Sequence, residues 1–460
     1  MSLSRRDFLT NSGLMIMAGT AGAMSTEQWL RGADLVHPTA APAAGTDDRT
    51  KATIVTIFLR GGADSLNAVV PYGDDLYYQY RPRIAVPIKA KRDKAVLKLD
   101  KAMGMDYWGI NPYMESIKPL IEAGQFIPIV NAGSTDGTRS HFSAQDYMER
   151  AAPGDPHVTH GWLNRYLEAT KKATDAPLRG ICAMTLLPRA LRGSYPVLAG
   201  ANRTEQMDLF EELYSAKNLA NQTAREEVNM EKGTRLDDLA GEDGKPKRQL
   251  TSDYTRDVIA QSGTNAVTRI KALEAAQATP SDAQYPNGGL GHQLRTIAQV
   301  IKANVGLEVA QADLGGWDTH SDQGDVDGRH SKMLQHLTES MAAFHKDLGE
   351  RMNKVLVLVM TEFGRTVHEN GAMGTDHGRG SFMFAMSNLL NGGKIYGTHN
   401  GMQDTDGGRF QPVHTDFRAV FAESLMKMFA FDPFKNEGFF PNWKPKSVDY
   451  LNFAKAVKMA

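Results

Sequence analysis

The chain has 460 residues, 41% hydrophobic and 23% charged, with 43 Gly and 20 Pro, a globular composition that excludes a disordered or fibrous protein. Its formal net charge of -1 gives no global attraction to nucleic acid or to an acidic membrane surface, so no nucleic-acid partner is expected. The length permits a large core, as two or three domains or as one α/β domain with insertions.

The N-terminus, MSLSRRDFLTNSGLMIMAGTAGAM, joins Arg5 and Arg6 to a Phe-Leu step and a weakly apolar, glycine-containing stretch. This arrangement resembles a twin-arginine export signal, with small residues at Ala41, Pro42 and Ala43 as the expected cleavage region. Residues 1–43 then read as signal and linker and 44–460 as the mature domain. The expected partner is the twin-arginine translocation machinery and the expected location periplasmic or secreted. No later segment approaches the roughly 18 to 20 uninterrupted apolar residues of a membrane span, so no stable membrane insertion is expected after signal cleavage.

ATIVTIFLRGGADSLN, from Ala52 to Asn67, is a β-branched and aromatic run stopped by Gly61 and Gly62, which predicts a buried strand delivering Asp64 and Ser65 to a loop. The basic KAKRDK at 89–94 reads as a solvated loop face. FIPIVNAG at 126–133 predicts a second strand, followed by TRSHFSAQ, in which Ser140 or Ser143 is placed to cap a helix. RGICAMTLL at 179–187 predicts another strand. Its Cys182 is the single cysteine, which rules out an intramolecular disulfide and reads as a small core residue. From about 201 to 278 the chain turns rich in Glu, Lys, Gln and Ala with helical spacing, a helical insertion or cap beside the sheet. LEVAQADLGGWDTHSD at 307–322 runs from an apolar strand into Asp318 and His320. A helix is predicted at 331–352, then the most continuous apolar strand of the chain, VLVLVMTEFGRT at 355–366. Strands alternating with helices imply a mostly parallel sheet covered on both faces, with polar loops gathered at the carboxyl ends of the strands.

Those loops carry Asp64, Asp318, His320 and, in GTDHGRG at 374–380, the adjacent Asp376 and His377. A glycine-flanked Asp and His pair beyond a buried strand has no evident folding role. Mixed carboxylate and imidazole ligands suit Zn2+ or Mn2+, whereas an oxygen-only set would favour Mg2+ or Ca2+. Arg60, Arg365 and Arg379 stand beside these motifs and either clamp an anion or pair with acidic side chains such as Glu362.

GGADSLN, RSHFSAQD, GGWDTH, TEFGRT and GTDHGRG, in this order, resemble the Domain of Unknown Function 1501 family, grouped with the alkaline phosphatase-like superfamily. The resemblance spans about Ala52 to Phe429 and implies a three-layer α/β/α sandwich that acts on phosphate or sulfate esters with divalent metals. It implies Asp64, Asp318, Asp376 and His377 as ligands, with His320 for the second motif's histidine and His414 for a further ligand in a late segment before a helix. The superfamily often places a histidine four residues after the second aspartate, where this chain has Asp322. It also implies a nucleophile at a helix N-terminus, where Ser140 stands between Arg139 and His141 with Thr138 and Ser143 nearby, and Ser65 as the substitute. Arg139 or Arg379 would neutralise charge on the substrate, and His141 would serve as ligand or acid/base. Two functions follow as expectations: an exported metal-dependent hydrolase of anionic esters, or a non-catalytic protein of the same fold that binds an envelope polymer or a partner.

Overall fold

The computed structural model describes residues 51–91, 94–99, 107–172, 175–200, 269–443, 445 and 451–457. The expected signal and most of the expected insertion at 201–278 lie outside them. Among the described residues no helix is long and apolar enough to cross a membrane. Residues Asp48–Ala201 and Leu273–Ala460 form one compact unit.

Its centre is an eight-stranded sheet. In chain order the strands are β1 (Thr53–Arg60), β2 (Phe126–Gly133), β3 (Gly180–Cys182), β4 (Leu198–Ala199), β5 (Val309–Gly315), β6 (Val355–Thr361), β7 (Ser381–Met386) and β8 (Thr415–Asp416). Their spatial order is β8-β2-β7-β6-β1-β5-β3-β4. β1 lies parallel between β5 and β6, while β7 runs antiparallel to both β6 and β2. The sheet is therefore mostly parallel, as the alternation of strands and helices predicts. SFMFAM, the unforeseen antiparallel strand, neighbours β6 through a connection with no helix in it. A return without a crossover helix leaves a neighbouring strand antiparallel.

Alternation along the strands divides the core into two layers. Ile54 and Phe58 of β1, with Leu356, Leu358 and Met360 of β6, pack against Trp162, Leu163 and Tyr166 of α2 (Trp162–Ala169) and Val420 and Phe421 of α5 (Phe417–Phe429). Val55, Ile57 and Leu59 point to the opposite face and are equally buried. On that side lie α3 (Gly289–Lys302), packed on β5, and α4 (Arg329–Leu348), packed on α3. Helices on both faces give the α/β sandwich. The predicted helix at 331–352 is α4, whose last predicted residues instead form the separate 3-10 turn Gly349–Asn353. Cys182 is buried, and burial pushes its thiol up to about 12, which fits a core residue.

One edge of the sheet collects the polar segments. β2 leads to α1 (His141–Glu149), β5 to Asp318 and β6 to Glu362. Because β7 is reversed, the segment before it, GTDHGRG, reaches the same edge from a strand's beginning.

Candidate metal centre

His141 is the first residue of α1, and Ser140 is its N-cap in extended conformation. The His141 Nδ1 lies 2.7 Å from Oε1 of the fully buried Glu362. That oxygen also accepts from Gly61 N at 2.8 Å and Gln145 Nε2 at 2.9 Å. Burial alone would raise the Glu362 carboxyl, but these hydrogen bonds, His141 first, hold it below its ordinary range. A carboxylate accepts only, so Nδ1 of His141 donates and Nε2 carries the lone pair of the neutral ring. The hydrogen bond to Glu362 outweighs burial and raises the His141 pKa.

The same device occurs twice more. His377 Nδ1 donates to the Arg139 carbonyl at 2.8 Å, and His320 Nδ1 lies 3.2 Å from Asp376 Oδ1. Burial, with the neighbouring charges of His141 and Arg365, keeps His377 below the usual histidine range, so it is neutral at pH 7. Three imidazoles thus have one nitrogen fixed by an acceptor and the other free.

The free nitrogens converge on Asp318. His320 Nε2 is 3.1 Å and His377 Nε2 3.3 Å from Asp318 Oδ1, and the two nitrogens are 3.0 Å apart. His141 Nε2 is 3.5 Å from Asp318 Oδ2, without hydrogen-bond geometry, and is a buried nitrogen lacking a hydrogen-bond partner. His141, Asp318 and His377 each place a donor atom within 4.8 Å of the others, a group that could hold a metal ion. Four ligands about 2.1 Å from a tetrahedral ion stand about 3.4 Å apart, close to these spacings. The donor chemistry, the orphaned His141 nitrogen and the fixed tautomers all fit a divalent ion, and hydrogen-bonded outer nitrogens are what orient ligating imidazoles. Asp318 also accepts from Arg365 Nη2 at 2.6 Å, and although burial opposes it, this partner lowers the carboxyl below its ordinary range.

GTDHGRG can reach this place because its glycines lie against backbone. A Cβ on Gly374 would stand 2.4 Å from the His320 carbonyl, and one on Gly378 2.4 Å from the Arg365 carbonyl oxygen. The adjacent Asp376 and His377 then meet the two ends of one ring, His320, at Nδ1 and Nε2. Asp376 stands behind His320 as an orienting carboxylate. It is held below its ordinary range despite partial burial, by Asn370 and His320 first.

The other expected ligands are not brought here. Asp64 is fully buried, its oxygens taken by Arg81 at 2.6 and 3.0 Å and by Gln323 at 2.5 Å. Burial would raise its carboxyl, but the Arg81 charge lowers it, so this internal cation stands where an ion was expected. His414 pairs with Asp404 at 2.7 Å instead. Of the arginines, Arg379 pairs with Asp406, and Arg60 with Asp313 and Glu149. Arg365 is buried on the carbonyls of Gly61, Gly62, Thr375 and Trp317 as well as on Asp318. Ser140 is exposed, makes no side-chain cap bond, and is flanked by two residues of the centre, Arg139 and His141. Sequence reasoning treated Glu362 only as an arginine partner. Its place directly after the most apolar strand, β6, was the signal for a larger role.

A family model described as "Protein of unknown function (DUF1501)" matches residues 51–428, and the chain belongs to that family. No curated protein matches it. Among solved structures, a mutant of the alkaline phosphatase PafA is similar at 13% identity with a TM-score of 0.23. That match covers 69% of this chain and 64% of the other, so the chain spans less than two thirds of that protein's length.

Proposed function

We propose that this member of the DUF1501 family is an exported, metal-dependent hydrolase of phosphate or sulfate esters with Ser140 as the attacking group. One observation carries the reading: three imidazoles with fixed tautomers turn Nε2 toward Asp318 beside an uncapped serine at a helix N-terminus. His141, His320, His377 and Asp318 would hold the ion, and their nitrogen-rich character suits Zn2+ or Mn2+ better than Ca2+ or Mg2+. Such an ion supplies Lewis acidity toward an ester oxygen. The chain's own groups do the rest. The unbonded N–H groups of the first turn of α1 favour negative charge at Ser140 and on a bound oxyanion. Arg139 adds positive charge there. Ser140 Oγ bonds to phosphorus or sulfur as the bond to the ester oxygen breaks and the hydroxyl proton passes to that departing oxygen; water then attacks the same atom, and its proton returns to Oγ as the serine is released. Export by the twin-arginine route to the periplasm rests on Arg5 and Arg6 in SRRDFL.

The test is metal content together with turnover of a panel of phosphate and sulfate esters. Asp318→Ala is expected to lose both the ion and turnover. Ser140→Ala keeps the ion and loses turnover by roughly a hundredfold or more. Equal metal content and equal turnover in wild type and Asp318→Ala would sink the reading. The closure of Asp64 by Arg81, which leaves one candidate ion site among the described residues, favours a second reading, a metal-stabilised binding protein. A bound ion with no ester turned over would select it.

A further inference from the structure

The arginines around the centre fall into two groups. Arg60, Arg81, Arg365 and Arg379 are committed to acidic side chains. Arg139 and Arg409 are exposed and, among the described residues, neither guanidinium has an ion pair or a side-chain hydrogen bond. Both instead lie over one ring, that of Phe410, with Cζ 4.8 and 5.4 Å from its centroid. Stacking of this kind restrains a long cation while leaving its N–H fork free.

Backbone pairing fixes where the ring stands. Phe410 bridges Thr366, and Thr366 N donates to the Asp376 carbonyl at 2.9 Å. The Arg409 carbonyl accepts from Val367 N at 2.9 Å, and the Arg409 charge is felt at the Asp376 carboxyl. From the other side, the Arg139 carbonyl holds His377. The two free cations therefore stand on segments that border one centre, Arg139 on the one that holds His377 and Arg409 on one whose charge reaches Asp376. Within it, the negative charges of Asp318, Asp376 and Glu362 would be matched by Arg365 together with the divalent ion of the proposed reading. Arg139 and Arg409 are surplus positive charge at its rim.

We infer that Arg139 and Arg409, set by Phe410, form the recognition site for a doubly charged oxyanion, the group that positions the substrate of the proposed hydrolase; the inference rests on that reading for its metal. Arg379, expected beside Arg139 as a charge-neutralising residue, has no such part, because Asp406 occupies it.

Inorganic phosphate at pH 8 is the probe, titrated calorimetrically into zinc-loaded and EDTA-treated full-length protein. Arg139→Met and Arg409→Met, which keep the apolar stem, are each expected to weaken phosphate about tenfold, and the double variant about a hundredfold, the loss expected for charge-assisted hydrogen bonds. Arg379→Met stays within about twofold of wild type. All four variants retain the zinc content of wild type. Wild-type affinity in the double variant, no phosphate binding by wild type, or an equal loss in Arg379→Met would each overturn the inference. Protein that binds no zinc but loses phosphate in the double variant would sink the hydrolase reading and leave the arginine rim standing.

Discussion

Glu362 governs His141 more closely than any other residue of the centre. It is the acceptor for Nδ1 and is itself anchored by Gly61 N and Gln145 Nε2. Glu362→Gln keeps the shape but removes the charge that fixes the tautomer. Zinc affinity, measured by competition with a chelator, is expected to fall roughly 10- to 100-fold, the usual cost of losing an outer-sphere carboxylate. An unchanged affinity would show that His141 is not a ligand. Asp376 is the same kind of residue seen from sequence as a ligand. A carboxylate that grips an imidazole and one that grips the ion share composition and spacing, and only side-chain direction separates them.

At the level of elements, the segment between β6 and β7 builds the centre by packing backbone on backbone. Gly378 N donates to the Gly364 carbonyl at 2.7 Å, and a Cβ there would stand 2.5 Å from the Arg365 carbonyl carbon. Main chain cannot move aside as a flexible side chain can. Gly378→Ala is expected to destabilise the fold by about 1–3 kcal/mol in urea denaturation and to weaken zinc through displacement of His377. Gly371→Ala, where a Cβ meets nothing within 4 Å, stays within about 0.5 kcal/mol. Equal stabilities for the two variants would contradict this packing account. The glycines of GTDHGRG were legible as signals of a tight place. That the tightness comes from Thr319, His320 and Arg365, far away in sequence, was not.

For the whole molecule, the buried charges make stability depend on pH. Asp64, sealed against Arg81, stays ionised to lower pH than the unfolded carboxyl. His330, fully buried, is held neutral down to about 4, against 6.5 for the ordinary side chain. As pH falls from about 6.5 toward 4 the unfolded chain takes up the His330 proton while the folded one does not, so stability drops with pH there. The contribution is about 3 kcal/mol across that window, from the ordinary value per pKa unit. The Asp64 part is present above the ordinary carboxylate range and is lost further down, as pH falls toward its depressed folded value. Urea denaturation in EDTA from pH 7 to pH 4 checks this. His330→Phe is expected to flatten the upper part of the profile, and an unaltered profile would refute the assignment to His330.

What the sequence determined by itself is the parallel core and the identity of its polar loops. Apolar strands such as FIPIVNAG and VLVLVMT stop at polar or glycine residues because a chain cannot bury unpaired polar groups along a central strand, so period and stop signals suffice to find them. Tertiary structure alone decided which polar residues meet. Asp64 and Asp318 both follow a Gly-Gly step after a strand, yet one is neutralised by Arg81 and the other faces three imidazoles. The physical reason is that a carboxylate's role depends on which cation approaches it, and Arg81, Arg365 and His141 arrive from separate elements whose contacts no local pattern encodes.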